Sequence, residues 1–323
     1  MFRASNWIPK PWLAFLLGLI AQPAGLLYSG APKLAFGYFT ALVVALIFNL
    51  TILRGNTLGA LLVLVVMPLA CAIHSYRLAR IFKSALNRPA YSKLHVIVVI
   101  YAAVIGLYGM FNVFLYQPVR IVNRGMTPTI PPDSLVVARK WGYGHYKAFG
   151  HTIFQAKVTS PLQRGDLIIF VLATEDEINQ VSRLIGLPGD TISYHDNVLS
   201  INGVIVVQQS EGEYFDKALF FLKIFRESIG NKDYLVAFGD PARLAVPNKG
   251  ALNFSHKEYC QYDSSGLTCK VPEHNYFVLS DNRDNSRDSR IRGFVSEENI
   301  VGVVSYVLQQ NAPKKLDLSG FAN

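Results

Sequence analysis

Long apolar runs leave a chain few ways to fold, and here four of them fill most of the first 115 residues: 12–27, 34–53, 58–73 and 96–115, the last with no charge at all. A helix that crosses a bilayer needs about 20 mostly apolar residues, somewhat fewer where its ends snorkel. Core helices of a soluble protein bury one apolar stripe, whereas successive helices apolar on every face call for a lipid environment. The first run is the weakest, because Gln22 and Pro23 interrupt it. The rest of the chain is mixed, polar and punctuated by Gly and Pro. The expected organisation is an N-terminal α-helical transmembrane domain over residues 1–115, of about four helices, followed by a separate domain over 116–323. Charged residues make up only 16% of the whole, against about 25% in soluble domains, which agrees with that division.

Lysine and arginine set the orientation. Arg77, Arg80, Lys83, Arg88 and Lys93 crowd the linker between the third and fourth runs, and such clusters stay cytoplasmic. The fourth run then delivers residues 116–323 to the opposite face, the periplasm of a Gram-negative cell, from a multi-pass protein of the inner (plasma) membrane. With four spans the N-terminus lies outside too, against the preference of Arg3 and Lys10; a first run that only dips into the bilayer moves it inside. The net charge of +9 does not point to nucleic acid, since the basic residues are not interleaved with aromatics and no nucleic-acid motif is present. The partner that composition implies is the lipid bilayer.

The second domain reads as β. Residues 134–138, 166–171, 276–279 and 300–307 are short runs rich in β-branched and aromatic residues, bounded by turn formers. Residues 191–194 and 198–201 flank His195-Asp196-Asn197, a hairpin signal. Residues 210–260 form an insertion in which 220–227 is a candidate strand. Strands outnumber helices and no βαβ rhythm appears, so an antiparallel, barrel-like domain is the natural solution. Cys260 and Cys269 close a short loop around Asp263-Ser264-Ser265-Gly266, and such a pair outside the cytosol usually forms a disulfide, with two free thiols as the other reading. Without His or further Cys at ligand spacing they make no metal site, and no cofactor is expected.

Four segments carry chemistry. They are Gly125-Met126-Thr127-Pro128-Thr129, Arg164-Gly165-Asp166, the run from Ser182-Arg183 through Gly186-Leu187-Pro188-Gly189-Asp190, and Asp281-Asn282-Arg283-Asp284-Asn285-Ser286-x-Asp288-Ser289-Arg290-x-x-Gly293. In this order they resemble the sequence boxes of bacterial type I signal peptidases (leader peptidases), and the resemblance covers residues 116–310. It implies the signal peptidase fold for the β domain, and a family chemistry in which a Ser–Lys dyad cuts the peptide. The Lys, buried beside apolar atoms, gives up its proton readily enough to accept one from the Ser, and an oxyanion hole holds the tetrahedral intermediate.

Both reacting positions are substituted. Where the family has Ser directly before Met, this chain has Gly125, and where it has Lys directly before Arg, this chain has Ser182. Gly125 has no side chain to attack with, though its N–H can still point into an oxyanion hole. Asn123 falls where the family carries a side-chain oxyanion donor; it is either that donor or an ordinary turn residue. Ser182 would need a base of its own, and Arg183 stays protonated. His145, His151, His195, His256 and His274 are the remaining candidates for a rescued Ser–His site. The resemblance gives Ser286, Asp288 and Arg290, with Asp281, Arg283 and Arg183, a supporting role around the site. Ser280 replaces a family Gly. Met126, Pro128 and Ile130 either line the substrate cleft, which takes small-x-small sequences by strand addition, or pack in the core.

Losing one dyad member costs orders of magnitude in rate. The favoured reading is a membrane-bound pseudoenzyme homologous to type I signal peptidase that binds signal peptides or a membrane partner. Its alternatives are an active signal peptidase I with a different catalytic constellation, and a structural membrane scaffold.

Overall fold

The protein was analysed as a computed structural model that describes residues 7–51, 57–83, 88–148, 151–171, 179–216, 220–239, 253–284 and 287–308. It divides into two compact units, Met1–Gly109 and Met110–Asn323. The first is helical and the second is mostly antiparallel β.

In the helical unit, three helices are long and apolar enough to cross a membrane: Pro32–Asn49, Gly59–Ile81 and Leu94–Phe114. The weakest run folds differently. It splits at Gln22-Pro23 into a helix of 10 residues, Pro11–Ile20, and one of 5, Ala24–Tyr28. At 1.5 Å per residue the longer piece reaches about 15 Å, half of a bilayer core. It packs against Met67–Ile81 at close range, since a Cβ on Gly18 would sit 2.8 Å from the Ala72 Cα. Small residues let two apolar helices approach where lipid offers no hydrophobic drive. The segment Leu62–Val66 is π-helical. Pro68 comes just after it, and the proline ring would clash with the carbonyl of Leu64 in a regular helix.

In the β unit, a seven-stranded sheet runs in the order Tyr116–Ile121, Ser134–Arg139, Ile300–Leu308, Leu167–Val171, Asn179–Gly186, Asn275–Leu279, Val295–Ser296. Register shifts in Ile300–Leu308 and Asn275–Leu279 mark bulges, which strengthen local twist and curl the sheet into a half-barrel. A five-stranded sheet runs Cys260–Tyr262, Gly266–Lys270, Thr191–His195, Val198–Ile201, Val204–Ile205. Its central hairpin turns on Asp196 and Asn197, both at positive φ, as a tight two-residue turn demands. The insertion forms a third, three-stranded sheet from Gln208–Asp216, Phe220–Ile229 and Lys232–Phe238. Residues 240–252 of the insertion lie outside the described residues.

Two apolar cores flank the middle strands. One packs Ile185, Tyr194, Val236, Phe277 and Leu279 between the sheets; the other packs Met126, Ile130, Val136, Ile169 and Val181. Asn179–Gly186 and Asn275–Leu279 therefore run through the middle of the domain, and the residues at their ends are held firmly. Cys260 and Cys269 face each other across a hairpin and are joined as a disulfide, with Cys269 buried in the first core.

Candidate functional site

Alternation along one strand builds the site. Ser182 and Arg183 are neighbours on Asn179–Gly186, so their side chains leave on opposite faces. Ser182 lines a cavity of about 270 Å³, together with Asn123, Gly125 and Ser280. Arg183 points the other way and grips Asp281 through two bonds, Nε to Oδ1 at 2.7 Å and Nη2 to Oδ2 at 2.6 Å. One residue step thus separates the cavity face from the ion-paired face.

The cavity lining is largely polar. Ser182 is 4% exposed, and its Oγ lies 3.4 Å from the Oγ of Ser280. The Gly125 N–H donates to Asn123 Oδ1 at 3.3 Å, and the Asn123 amide donates to Gln180 Oε1, also at 3.3 Å. That is an Asx turn: Asn123 caps its own backbone two residues on. The Gly125 carbonyl accepts from the Asn282 N–H at 2.8 Å, which ties the first box to the fourth through backbone alone. Met126 and Ile130 are fully buried in the core beneath this loop, and Pro128 is half-buried; none of the three lines the cavity.

Among the described residues no Lys or His lines this cavity. His145 is buried against the Glu298 carbonyl and Thr152, His195 bonds Ser265 and Thr268, and His274 pairs with Glu297. His151 is exposed and His256 faces Glu258. A lysine of the kind that can act as a base does exist elsewhere. Lys140 is 1% exposed, with Nζ donating to Gln117 at 3.0 Å. Burial, then the charge of Lys147, lowers its pKa to about 8.

Beneath the cavity lies a floor of buried ion pairs. Arg283 reaches Glu227, and both side chains are fully buried. Arg290 grips Asp288 through Nε and Nη2, each at 2.8 Å, and donates from Nη2 to the Arg283 carbonyl at 2.6 Å. Asp288 also accepts from the Ser280 N–H at 2.9 Å, so the serine that faces Ser182 hangs directly from the floor. Burial works against the Asp288 charge, but Arg290 and these hydrogen bonds hold its pKa below the ordinary value. Burial likewise opposes the Arg283 charge, yet Glu227 and its neighbours raise its pKa. Aromatic faces complete the setting: Tyr234 stacks 4.1 Å from the Arg183 guanidinium and Tyr194 lies 5.0 Å from that of Arg290. Arg183, Asp281, Arg283, Asp288 and Arg290 are therefore brought together, while Ser286 lies outside the described residues.

Sequence reasoning missed Glu227 and Asp216. Glu227 comes from Phe220–Ile229, and Asp216 ends Gln208–Asp216 and holds Arg124 at 2.8 Å. A fully buried carboxylate such as Glu227 is costly unless paired, but its strand also carries Lys223, Arg226 and Ser228, so the sequence does not single it out.

The chain was compared with known proteins. The family model described as signal peptidase, peptidase S26, matches residues 93–309. A signal peptidase I of Buchnera aphidicola subsp. Baizongia pistaciae is 28% identical over 231 residues, 61% of this chain and 71% of its own. One of Pseudomonas aeruginosa is 29% identical over 225 residues, 65% of this chain and 70% of its own. The crystal structure of a signal peptidase I from Enterococcus faecalis is 28% identical, covering 45% of this chain and 98% of its own, with a TM-score of 0.26.

Proposed function

Because the chain belongs to the signal peptidase family S26, we propose that it is a membrane-anchored member that holds a small-x-small signal peptide at its extracytoplasmic cleft without cutting it. One observation carries this reading. The hydroxyl facing Ser182 is that of Ser280 at 3.4 Å, where the resemblance to the family boxes puts the base at Ser182 and the nucleophile at Gly125. Serine cannot act as nucleophile without a proton acceptor in reach, and neither a second hydroxyl nor a guanidinium accepts the proton. Asp288 lines the same cavity, but two guanidinium bonds and the Ser280 N–H hold it in its charged form. The cleft that a peptide would fill is still open, and the apolar helices suit an inner-membrane anchor with the β domain in the periplasm.

Incubating the full-length protein in detergent with a preprotein tests the reading. The expected outcome is no specific cleavage, together with saturable binding of the signal peptide. Cleavage next to a small-x-small site by the unsubstituted chain would sink it. A chain that neither cuts nor binds would favour the scaffold reading instead. Gly125→Ser combined with Ser182→Lys is expected to gain cleavage by orders of magnitude, while either single substitution stays inactive, because nucleophile and base act as one unit.

A further inference from the structure

Two arginines of the cavity stand apart from the paired floor. Arg287 and Arg292 fall at positions that the fourth box leaves open, and both line the cavity with Gly125, Ser182 and Ser280. Arg124, which lines it too, is held by Asp216 through bonds of 2.9 and 2.8 Å. Asp288 is held by Arg290. Among the described residues no carboxylate pairs with Arg287 or Arg292. Burial, then the nearby charge of Arg287, lowers the Arg292 pKa. The cavity therefore carries two positive charges with no described carboxylate partner, beside two serine hydroxyls that, among the described residues, bond only each other, at a long 3.4 Å. Such a setting favours an anion with two acceptor oxygens.

The place of Gly125 says which anion, on the reading of this cleft as a peptide site. A nucleophile at this position must meet the carbonyl of the bond it cuts, so a bound small-x-small peptide brings that carbonyl to Gly125. In a preprotein the chain continues past it. In a peptide that has already been released, the same carbonyl is a terminal carboxylate. Its second oxygen needs room and donors. Glycine in place of serine provides the room, and Ser182 and Ser280 provide donors. We propose that the cavity binds the free C-terminal carboxylate of a released signal peptide, with the Ser182 and Ser280 hydroxyls and the Arg287 and Arg292 guanidinium groups as its donors. The protein then takes up the product of leader cleavage rather than the uncut precursor, and a separate active peptidase supplies that product.

The test titrates the full-length protein in detergent with labelled peptides that share an apolar segment ending in Ala-Gln-Ala. One carries the free acid, one is C-terminally amidated, one continues for several residues past the last Ala, and one is amidated with Asp as its final residue. The free acid is expected to bind at least about tenfold more tightly than the amidated and extended forms, as a charge-assisted contact provides. The amidated Asp peptide is expected to recover little of that advantage, because a side-chain carboxylate lies beyond the Gly125 position. In the Arg287→Gln, Arg292→Gln double variant the advantage should shrink to about twofold or less. Equal binding of acid and amide, or tighter binding of the extended form, overturns the carboxylate inference while leaving peptide holding intact. Failure of every peptide to bind overturns both. The peptide series is read on the unsubstituted chain, so its result does not depend on how well the variant folds.

Discussion

On one side of Ser280 lie Arg183, Arg283 and Arg290, each buried and each gripping a carboxylate. On the other lie Arg287 and Arg292, which line the cavity and have no carboxylate partner among the described residues. The same side chain is used in two ways within a few residues of one box. In the floor it fixes geometry, and its charge is cancelled where it sits. At the cavity its charge is left for something that arrives. This difference means that the ion-paired scaffold does not depend on which side chains stand at positions 125 and 182. None of the floor pairs passes through the side chain of residue 125 or 182. The first box is tied to the fourth by the Gly125 carbonyl and the Asn282 N–H, a bond indifferent to whether residue 125 is Ser or Gly. Ser182 keeps its place by strand pairing opposite Ile168, again through backbone.

The largest effect is expected where a floor pair is broken from one end. Glu227→Ala leaves the Arg283 guanidinium fully buried with its principal charge partner gone. Removing one member of a buried pair costs about 3–5 kcal/mol, because the remaining charge stays desolvated. In a unit of this size that corresponds to a drop in melting temperature of roughly 10 °C, read by thermal unfolding of the full-length chain in detergent. A change under about 1 kcal/mol would break the comparison, since it would mean that the floor charges are not what holds the box in place.

Much of this floor is legible in sequence, and part is not. The fourth box names Asp281, Arg283, Asp288 and Arg290, and alternation along the third box puts Ser182 and Arg183 on opposite faces. The strands that carry them come from β-branched runs and from the Asp196-Asn197 turn. Glu227 and Asp216 are not legible as members of the site. They come from a sheet built by the insertion, and the carboxylate that meets Arg283 is set by how that sheet docks, a long-range pairing that no local pattern encodes. The first apolar run reads as the weakest span because of Gln22 and Pro23. What the short helix packs against, Gly18 closing on Ala72, is something hydropathy does not register. In sequence Asn123 has two readings, and only the folded loop puts its Oδ1 on the Gly125 N–H as an Asx turn.

A middle-sized effect is expected from acid, and it should come from the paired carboxylates. The Asp288 pKa is held below its ordinary value against the pull of burial, and that of Asp190 is lowered likewise by Arg164 and Asn202. A carboxyl whose folded pKa is depressed contributes stability that is fully present above the unfolded value, about 3.9, and is lost as pH falls through the folded pKa. Melting temperature should therefore hold from neutral pH down to about pH 4 and then fall. A melting temperature that began to fall at about pH 6, well above the carboxylate range, would place the titrating group elsewhere.

The smallest effect is the one that separates the two uses of arginine most sharply. Arg287 is exposed and Arg292 half-buried, and neither anchors a described carboxylate. Replacing either with Gln removes a cation that faces another cation, so each substitution should change stability by no more than about 0.5 kcal/mol. The direction should be slightly stabilising, because burial and Arg287 together disfavour the charge on Arg292. The same thermal unfolding experiment reads it beside Glu227→Ala. Losses of about 2 kcal/mol or more from Arg287→Gln or Arg292→Gln would show that these side chains brace the box as the floor does, and the division between fixed and available charge would collapse. A neutral result, set against a large loss at Glu227, means that the fold does not use these two charges and that they stay available to a ligand, which is what a carboxylate site requires.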